Sequence, residues 1–433
     1  MSNNRTFVGF GFGPIQSGLF LYEAWRSGGF GRLVVAEIDE GLVRAVRANG
    51  GSYSLNIAYP DRVEGVTVPG VEIYNPRNED QRSKLLEAVA QAQEMATALP
   101  SVQFFGSGGE SSVAGLLAKG LAGRTKAGVI YTAENDNHAA QRLEEAVKGA
   151  GGTGTLTSVE APPSPGHRPG GVQILNTVIG KMSGVITEGR EIRRLGLVTI
   201  APGMDKAILV EVFNRILISQ IKLEGFERGI AAFVEKPDLL PFEEAKLYGH
   251  NAVHALLGYL GEQRGLVTMA QAAGHADLMA RARQAFLEES RPAMLHRHGR
   301  LGDELFTAEG YEAYAEDLLV RMVNPNLNDL IARVTRDHPR KLGYDDRLFG
   351  TMRRVLEAGV RPMQMARGAA AAVRSLVRHR PDEADQTLPE LPRRENEMNR
   401  PRFERLLKRL WAGKEDQWAG PMVDLVWEGW EHS

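Results

Sequence analysis

The chain has 433 residues, too many for one small domain; at ~150 residues per domain, two or three are expected. Hydrophobic residues make up 43% and charged residues 24%, which excludes a disordered chain and leaves enough apolar side chain for a sizeable core. The 52 basic and 54 acidic residues leave a net charge of −2, and there is no cysteine; a global basic footprint for nucleic acid or an acidic membrane is excluded, as are disulfides, thiolate nucleophiles, iron–sulfur clusters and Cys-held zinc.

The first half alternates apolar runs with glycine-rich turns. Thr6–Phe10 is expected as a strand, followed by a tight turn over Gly11–Gly18 that enters a helix ending near Trp25. Residues 32–38 (RLVVAEI) predict a second buried strand, and Ser101–Phe105 and Ala127–Thr132 later ones. Helical patterns follow over 111–121 and 138–148. Strands alternating with helices predict a parallel sheet with crossover connections. Residues 161–171 (APPSPGHRPGG) are expected as an exposed loop. From Pro241 the pattern becomes helical, over 241–264, 268–287, 309–322, 351–359, 362–378 and 401–412, with 379–400 as a loop before the last of these. The expected fold is therefore an α/β Rossmann-like domain with a parallel-sheet core over 1–240, and a mainly α-helical domain over 241–433. No run approaches eighteen apolar residues, so no membrane span is expected. Met1–Gly13 lacks the build of a signal peptide, which makes the cytoplasm the expected location.

The turn after the first strand reads Gly9-Phe10-Gly11-Phe12-Gly13-Pro14-Ile15-Gln16-Ser17-Gly18. A dinucleotide fold needs one glycine for the tight turn and one where backbone nears the pyrophosphate, which then rests on the following helix amides. Gly11 and Gly13 suit those two roles. The third glycine would fall at Gln16, and Gly18 lies two further on. The second strand ends at Glu37, about twenty residues beyond the glycines, where a carboxylate accepts ribose hydroxyls and repels a 2′-phosphate. NAD is thus favoured over its phosphorylated form.

Residues 241–254 (PFEEAKLYGHNAVH) open the first long helix, with Pro and acids in its first turn. At ~100° per residue, Asn251 lies about 140° round from Lys246, with His254 between them at about 80°. A neutral amine, an amide and an imidazole can move a proton and steady an alkoxide without metal, provided burial lowers the lysine's pKa. The competing reading is a surface lysine beside a core histidine. His250 and His254 also have metal-ligand spacing, but Asn251 replaces the glutamate of a zinc-protease motif, and no metal is expected. His296 and His298 are expected in a solvated turn.

Together these motifs resemble the polyol-specific long-chain dehydrogenases, most nearly their mannitol-1-phosphate 5-dehydrogenase members. In that family a Lys, an Asn five later and a His three after that lie beside the nicotinamide; Lys246, Asn251 and His254 match the spacing. Glu243 and Glu244 are similar to acids that precede the family lysine. Glu134-Asn135 matches a pair in the cofactor domain, and residues 175–182 (LNTVIGKM) match the segment whose Asn, here Asn176, completes the oxyanion site. Residues 232–235 (AFVE) lead into the catalytic helix as in the family. Residues 324–329 (NPNLND), 336–342 (RDHPRKL) and 345–348 (DDRL) resemble the C-terminal signature of the mannitol-phosphate members. Gln16 departs from the family turn, and Gly180-Lys181 stands where the family usually has Asp-Arg. Residues 162–171 and the tail beyond Arg378 look like additions.

Between Arg333 and Arg380 there are twelve Arg or Lys against four acids. A phosphate needs such cations, and Arg340, Lys341 and Arg347 are the candidates, unless this is only a solvated helical face. The resemblance implies a metal-independent NAD-dependent oxidoreductase interconverting mannitol 1-phosphate and fructose 6-phosphate. Lys246 would be the proton acceptor, Asn176 and Asn251 the oxyanion donors, and His254 would orient a substrate oxygen. Gly11, Gly13, Gly18, Glu37 and Asn135 would bind the cofactor. The expected partner is a small polyol phosphate, not nucleic acid or membrane. Two alternatives stand: a dehydrogenase of non-phosphorylated polyols or hexonates, and a nucleotide-binding regulator without turnover.

Overall fold

The computed structural model describes residues 5–152, 156–158 and 171–432; most of the expected Pro/Gly loop, 161–170, lies outside them. The chain divides into two compact units, Met1–Leu240 and Pro241–Ser433.

In chain order the strands are β1 (Thr6–Phe10), β2 (Arg32–Ala36), β3 (Tyr53–Ala58), β4 (Val63–Val68), β5 (Val71–Tyr74), β6 (Glu94–Thr97) and β7 (Gly128–Thr132). They continue as β8 (Leu156–Ser158), β9 (Val172–Val178), β10 (Ser183–Ile186), β11 (Ala207–Glu211), β12 (Ile216–Ser219) and β13 (Phe233–Lys236). All lie in the first unit. The larger sheet runs β13-β12-β9-β7-β6-β1-β2-β5, with β8 also paired to β9. From β9 to β5 every pair is parallel; β12 turns antiparallel to β9.

Parallel strands with both faces covered read as continuous apolar runs, and β1 does so. Every residue of TFVGF is buried. Phe7 packs with Leu19, Leu33 and Tyr131 on one face, while Val8 and Phe10 join Val34, Leu117 and Ile130 on the other. The two-residue period of a strand produces that division.

A second sheet, β10-β11-β3-β4, has no counterpart in the sequence expectations. Its hairpin β3–β4 is local, but β3 pairs in parallel with β11 some 150 residues later. The Asn56 carboxamide secures that junction, donating to the Val198 and Ile208 carbonyls at 2.9 Å and accepting from the Val198 amide at 2.9 Å.

One expected strand is corrected. Residues 101–105 form a 3₁₀ turn, Val102–Phe104, started by Ser101, whose hydroxyl accepts the Gln103 amide. The strand at this place in the sheet is β6, whose short EMAT run carries only one large apolar residue.

The described residues of the second unit are helices joined by loops, with no strand and one isolated bridge, Thr268–Leu330; the loop expected over 379–400 contains a short helix, Ala384–Thr387. A terminal helix, Ala419–Glu431, follows Arg400–Trp411 and was not anticipated. His296 and His298 lie in the helix Arg291–His298 rather than a turn. His298 is not solvated; its Nε2 lies 2.6 Å from Glu244, which also holds Arg297 at 2.7 Å. No helix among the described residues is long and apolar enough to cross a membrane.

Candidate active site

In the first unit, the C-terminal ends of β1, β2, β6 and β7 open into a cleft of about 790 Å³ lined by Phe10, Gly11, Gly13, Glu37, Ala98 and Ala133, among others. Ligands of open α/β sheets bind at this edge. Gly11 has φ +86° and donates its amide to the Ala36 carbonyl at 2.9 Å. A Cβ there would come 3.0 Å from the Ala98 carbonyl oxygen, whereas at Gly13 it would project into open space. The turn thus needs glycine at 11, and bare backbone at 13 leaves the cleft clear. An elongated phosphate-bearing ligand fits such a cradle, with the following helix amides beneath it.

Gln16 occupies the place of the fingerprint's third glycine. Its carboxamide is fully buried and both polar atoms lack a partner among the described residues. Gly9 makes room for it, since a Cβ at Gly9 would fall 2.1 Å from Gln16 Nε2. Gly18 is not in the cleft: it packs the helix onto the second sheet, where a Cβ would meet Val210 Cγ1 at 2.5 Å. The glycine pattern could not reveal this, because the partner strand is remote in sequence.

Glu37 reaches the cleft wall half-buried, with one carboxylate oxygen accepting the Asp39 amide at 2.8 Å. Glu134 is buried. Its oxygens accept the Leu99 amide and the Thr97 hydroxyl, both at 2.8 Å, tying the end of β6 to that of β7. Burial pushes its carboxyl above the usual range, against those hydrogen bonds. Asn135 beside it is exposed and is not among the residues lining the cleft.

Asn176 lies on β9, in register with Thr132. Its Oδ1 accepts the Ala140 amide at 2.9 Å, near the start of the helix Ala139–Gly149, which leaves Nδ2 as the donor end, 3.4 Å from Gln141 Oε1. Lys181 is buried with its ammonium bound to the Phe213 carbonyl at 3.0 Å and Asn214 Oδ1 at 2.6 Å, a structural post.

In the second unit, Lys246–Asn251 is a π-turn between the α-helical segments Leu240–Ala245 and Ala252–Gln263. A π-turn closes over i→i+5 rather than i→i+4, so residues five apart come to lie on nearly one face. The 140° separation expected of a regular helix is thereby corrected: Lys246 and Asn251 share a side. Both are half-buried, and neither side chain has a hydrogen-bond partner among the described residues. Burial, with the Arg347 guanidinium beside it and against the pull of Glu243, lowers the Lys246 ammonium to about 8. Burial also drives His250 well below its usual value, helped by the nearby cations of His254, Arg321, Lys246 and Arg347.

His254 Nε2 lies 2.9 Å from Asp329 Oδ2, and Arg333 holds the other oxygen at 2.6 and 2.9 Å. Burial raises the Asp329 carboxyl, but the His254 hydrogen bond and the Arg333 charge prevail, and its pKa is lowered. An ionised Asp329 calls for a proton on His254 Nε2 and so fixes which ring nitrogen faces it. Asp329 was visible only as the last residue of the NPNLND string.

The three phosphate candidates separate. Lys341 is buried, its ammonium given to the Val334 and Arg336 carbonyls, which corrects its proposed role. Arg340 is ion-paired with both Asp337 and Asp346. Arg347 has its Nε on Asp346 at 2.8 Å, and its charge is one of the causes that lower the Lys246 pKa. Most of the basic excess of this stretch is matched by acids from elsewhere, such as Asp329, Glu395, Asp416 and Glu428. Among the described residues no group of three or more His, Asp or Glu is placed to hold a metal.

Comparisons with known proteins bear on the same residues. Residues 238–402, which include the π-turn and Asp329, match the mannitol dehydrogenase C-terminal domain family. These matches support a polyol dehydrogenase family close to the mannitol-1-phosphate 5-dehydrogenases. It is 29% identical over 373 residues to the mannitol-1-phosphate 5-dehydrogenase of Pseudarthrobacter chlorophenolicus, covering 85% of this chain and 84% of that protein. It is 33% identical to that of Halalkalibacterium halodurans over 177 residues, 40% of this chain and 46% of the relative. By fold, the chain resembles a substrate-free D-sorbitol dehydrogenase (TM-score 0.71, 14% identity, 98% of this chain and 92% of that one). It also resembles Pseudomonas fluorescens mannitol 2-dehydrogenase solved with NAD and D-mannitol (TM-score 0.69, 14% identity, 99% and 92%).

Proposed function

We propose that this NAD-dependent polyol oxidoreductase interconverts a sugar-alcohol phosphate and a ketose phosphate, with mannitol 1-phosphate and fructose 6-phosphate as the pair to test first. The observation that carries the reading is Lys246: a half-buried amine without an ion-pair partner among the described residues, pushed to about 8, on one side of a π-turn with Asn251.

A lysine at that value is divided between amine and ammonium near neutral pH, as an acid–base group must be to work in both directions. In polyol oxidation the neutral Nζ takes the hydroxyl proton, and in ketose reduction the ammonium returns it. The Asn251 carboxamide donates to the oxygen on which negative charge develops, and we assign the same role to Asn176 Nδ2. His254, held through Nε2 by Asp329, accepts a neighbouring substrate hydroxyl at Nδ1. NAD, when bound, would supply the hydride acceptor for the carbinol carbon. Gly11 and Gly13 offer the bare backbone for its pyrophosphate, and Glu37 the ribose contact; Asn135, exposed at the end of β7, is assigned a lesser cofactor contact.

A phosphorylated substrate is favoured by Arg347, whose guanidinium is fixed by Asp346 beside the proton-transfer lysine. The curated relatives named above, being mannitol-1-phosphate 5-dehydrogenases, support the same choice. The structural relatives named for sorbitol and mannitol favour the second reading, a non-phosphorylated polyol. Reduced-nicotinamide absorbance with fructose 6-phosphate against fructose decides. Preference for the phosphate supports the proposal, preference for fructose selects the second reading, and no turnover of any polyol with intact NADH binding would leave a regulator.

A further inference from the structure

The π-turn that brings Lys246 and Asn251 to one side is held from outside by hydroxyls. A widened turn needs donors beyond its own ladder for carbonyls that are buried. The Tyr248 carbonyl, in the middle of the turn, accepts from Ser290 Oγ at 2.9 Å. Ser290 Oγ in turn lies 2.6 Å from the Tyr311 hydroxyl. A carbonyl cannot donate, so the single Ser290 proton goes to Tyr248 and Tyr311 donates to Ser290. Burial pushes the Tyr311 phenol upward, which keeps its proton in place. Thr351 Oγ1 lies 3.3 Å from the same carbonyl, but its single proton goes to the Arg347 carbonyl at 2.5 Å, which leaves Ser290 as the donor to Tyr248.

Two further observations point the same way. A Cβ on Gly249 would fall 2.6 Å from Tyr311 Oη, so glycine inside the turn is what lets the phenol approach. The π-turn Gln16–Leu21 in the first unit has the same arrangement, with the buried Tyr53 hydroxyl donating to the Ser17 carbonyl at 2.6 Å.

The geometry points to Ser290, with Tyr311 behind it, as a positioning residue that holds the π-turn open and so keeps Lys246 and Asn251 on one side. Its effect on catalysis rests on the reading of Lys246 as proton acceptor. Its effect on the turn does not. If the turn relaxes, Lys246 moves relative to Arg347, Glu243, His250 and His254, the charged and titratable groups that surround it.

The test uses the full-length protein and two readouts. The first is the pH at which Lys246 becomes reactive towards an amine-selective acylating reagent, followed by mass spectrometry of the peptide that carries it. The second is kcat against KM. Ser290→Ala is expected to move the Lys246 reactivity midpoint from about 8 towards the ordinary lysine range. It should also lower kcat ~10-fold or more with KM within about twofold. Ser290→Thr, which keeps the hydroxyl, should restore both. If Ser290→Ala fails to fold, Tyr311→Phe removes the supporting hydroxyl alone and should show a smaller shift of the same sign. An unmoved Lys246 midpoint in a folded variant overturns the proposal, even if activity falls through lower stability. A moved midpoint with unchanged kcat upholds the positioning role and instead overturns Lys246 as proton acceptor.

Discussion

Lys246 and Asn251 stand at the two ends of one π-turn, five residues apart. A regular helix would set them on different sides; one extra residue in the turn aligns them. Spacing that looks awkward for an α-helix is thus the spacing this backbone requires.

Replacing Lys246 with alanine removes the proposed proton acceptor and nothing from the nucleotide cleft. Turnover in both directions should fall by roughly 10²–10⁴-fold, while NADH titrated by fluorescence binds as before. Ketose-phosphate reduction at near wild-type rate would defeat the mechanism.

The pH profile follows from the lowered lysine. With Lys246 as the proposed proton acceptor, polyol oxidation draws on the neutral amine, so its kcat should rise with pH through about 8 and then level. Ketose reduction needs the ammonium and should fall through the same region. Arg347 is one of the causes of the lowering, so Arg347→Gln should move both limbs to higher pH. Steady-state rates from pH 6 to 10, in both directions, test the sign.

Arg347 should also separate the two substrate readings. Losing a charge-assisted contact costs about 1.5–3 kcal/mol, or roughly 10- to 150-fold. Arg347→Ala should raise KM for fructose 6-phosphate by that factor and leave fructose unaffected. Equal effects on both sugars would remove the phosphate assignment.

Asp329 couples the string NPNLND to His254. Asp329→Asn keeps the shape but loses the anion that fixes the imidazole tautomer, and kcat should fall about tenfold or more. Its folded pKa is depressed, so the wild-type pair stabilises the fold fully above the unfolded value of about 3.9 and loses that contribution as pH falls through the lower folded value. Acid unfolding of the wild type should therefore show a dependence that Asp329→Asn lacks, read by circular dichroism.

Gly18 should behave as a packing residue. Gly18→Ala places a methyl against Val210 and should cost about 1–3 kcal/mol through overpacking, seen as a lower Tm with nucleotide affinity unchanged. Val210→Ala should recover much of the loss. A selective fall in NADH affinity would instead return Gly18 to the cofactor site.

Much was legible in the residues alone. The alternation of buried strands and helices up to residue 149, the turn at Gly11 and Gly13 and the helical character beyond Pro241 all come from local pattern, because strand and helix periods and glycine backbone freedom act over a few residues. Tertiary structure decided what depends on distant partners. It put Gly18 against Val210, made residues 101–105 a turn rather than a strand, assembled a second sheet from segments some 150 residues apart, and gave Lys341 to backbone carbonyls while leaving Arg347 beside Lys246. Local charge counts could not foresee this, because an ion's role is set by what surrounds it in space. Nor could a helical wheel foresee the widened turn, whose central carbonyl is bonded by a hydroxyl that arrives from residue 290.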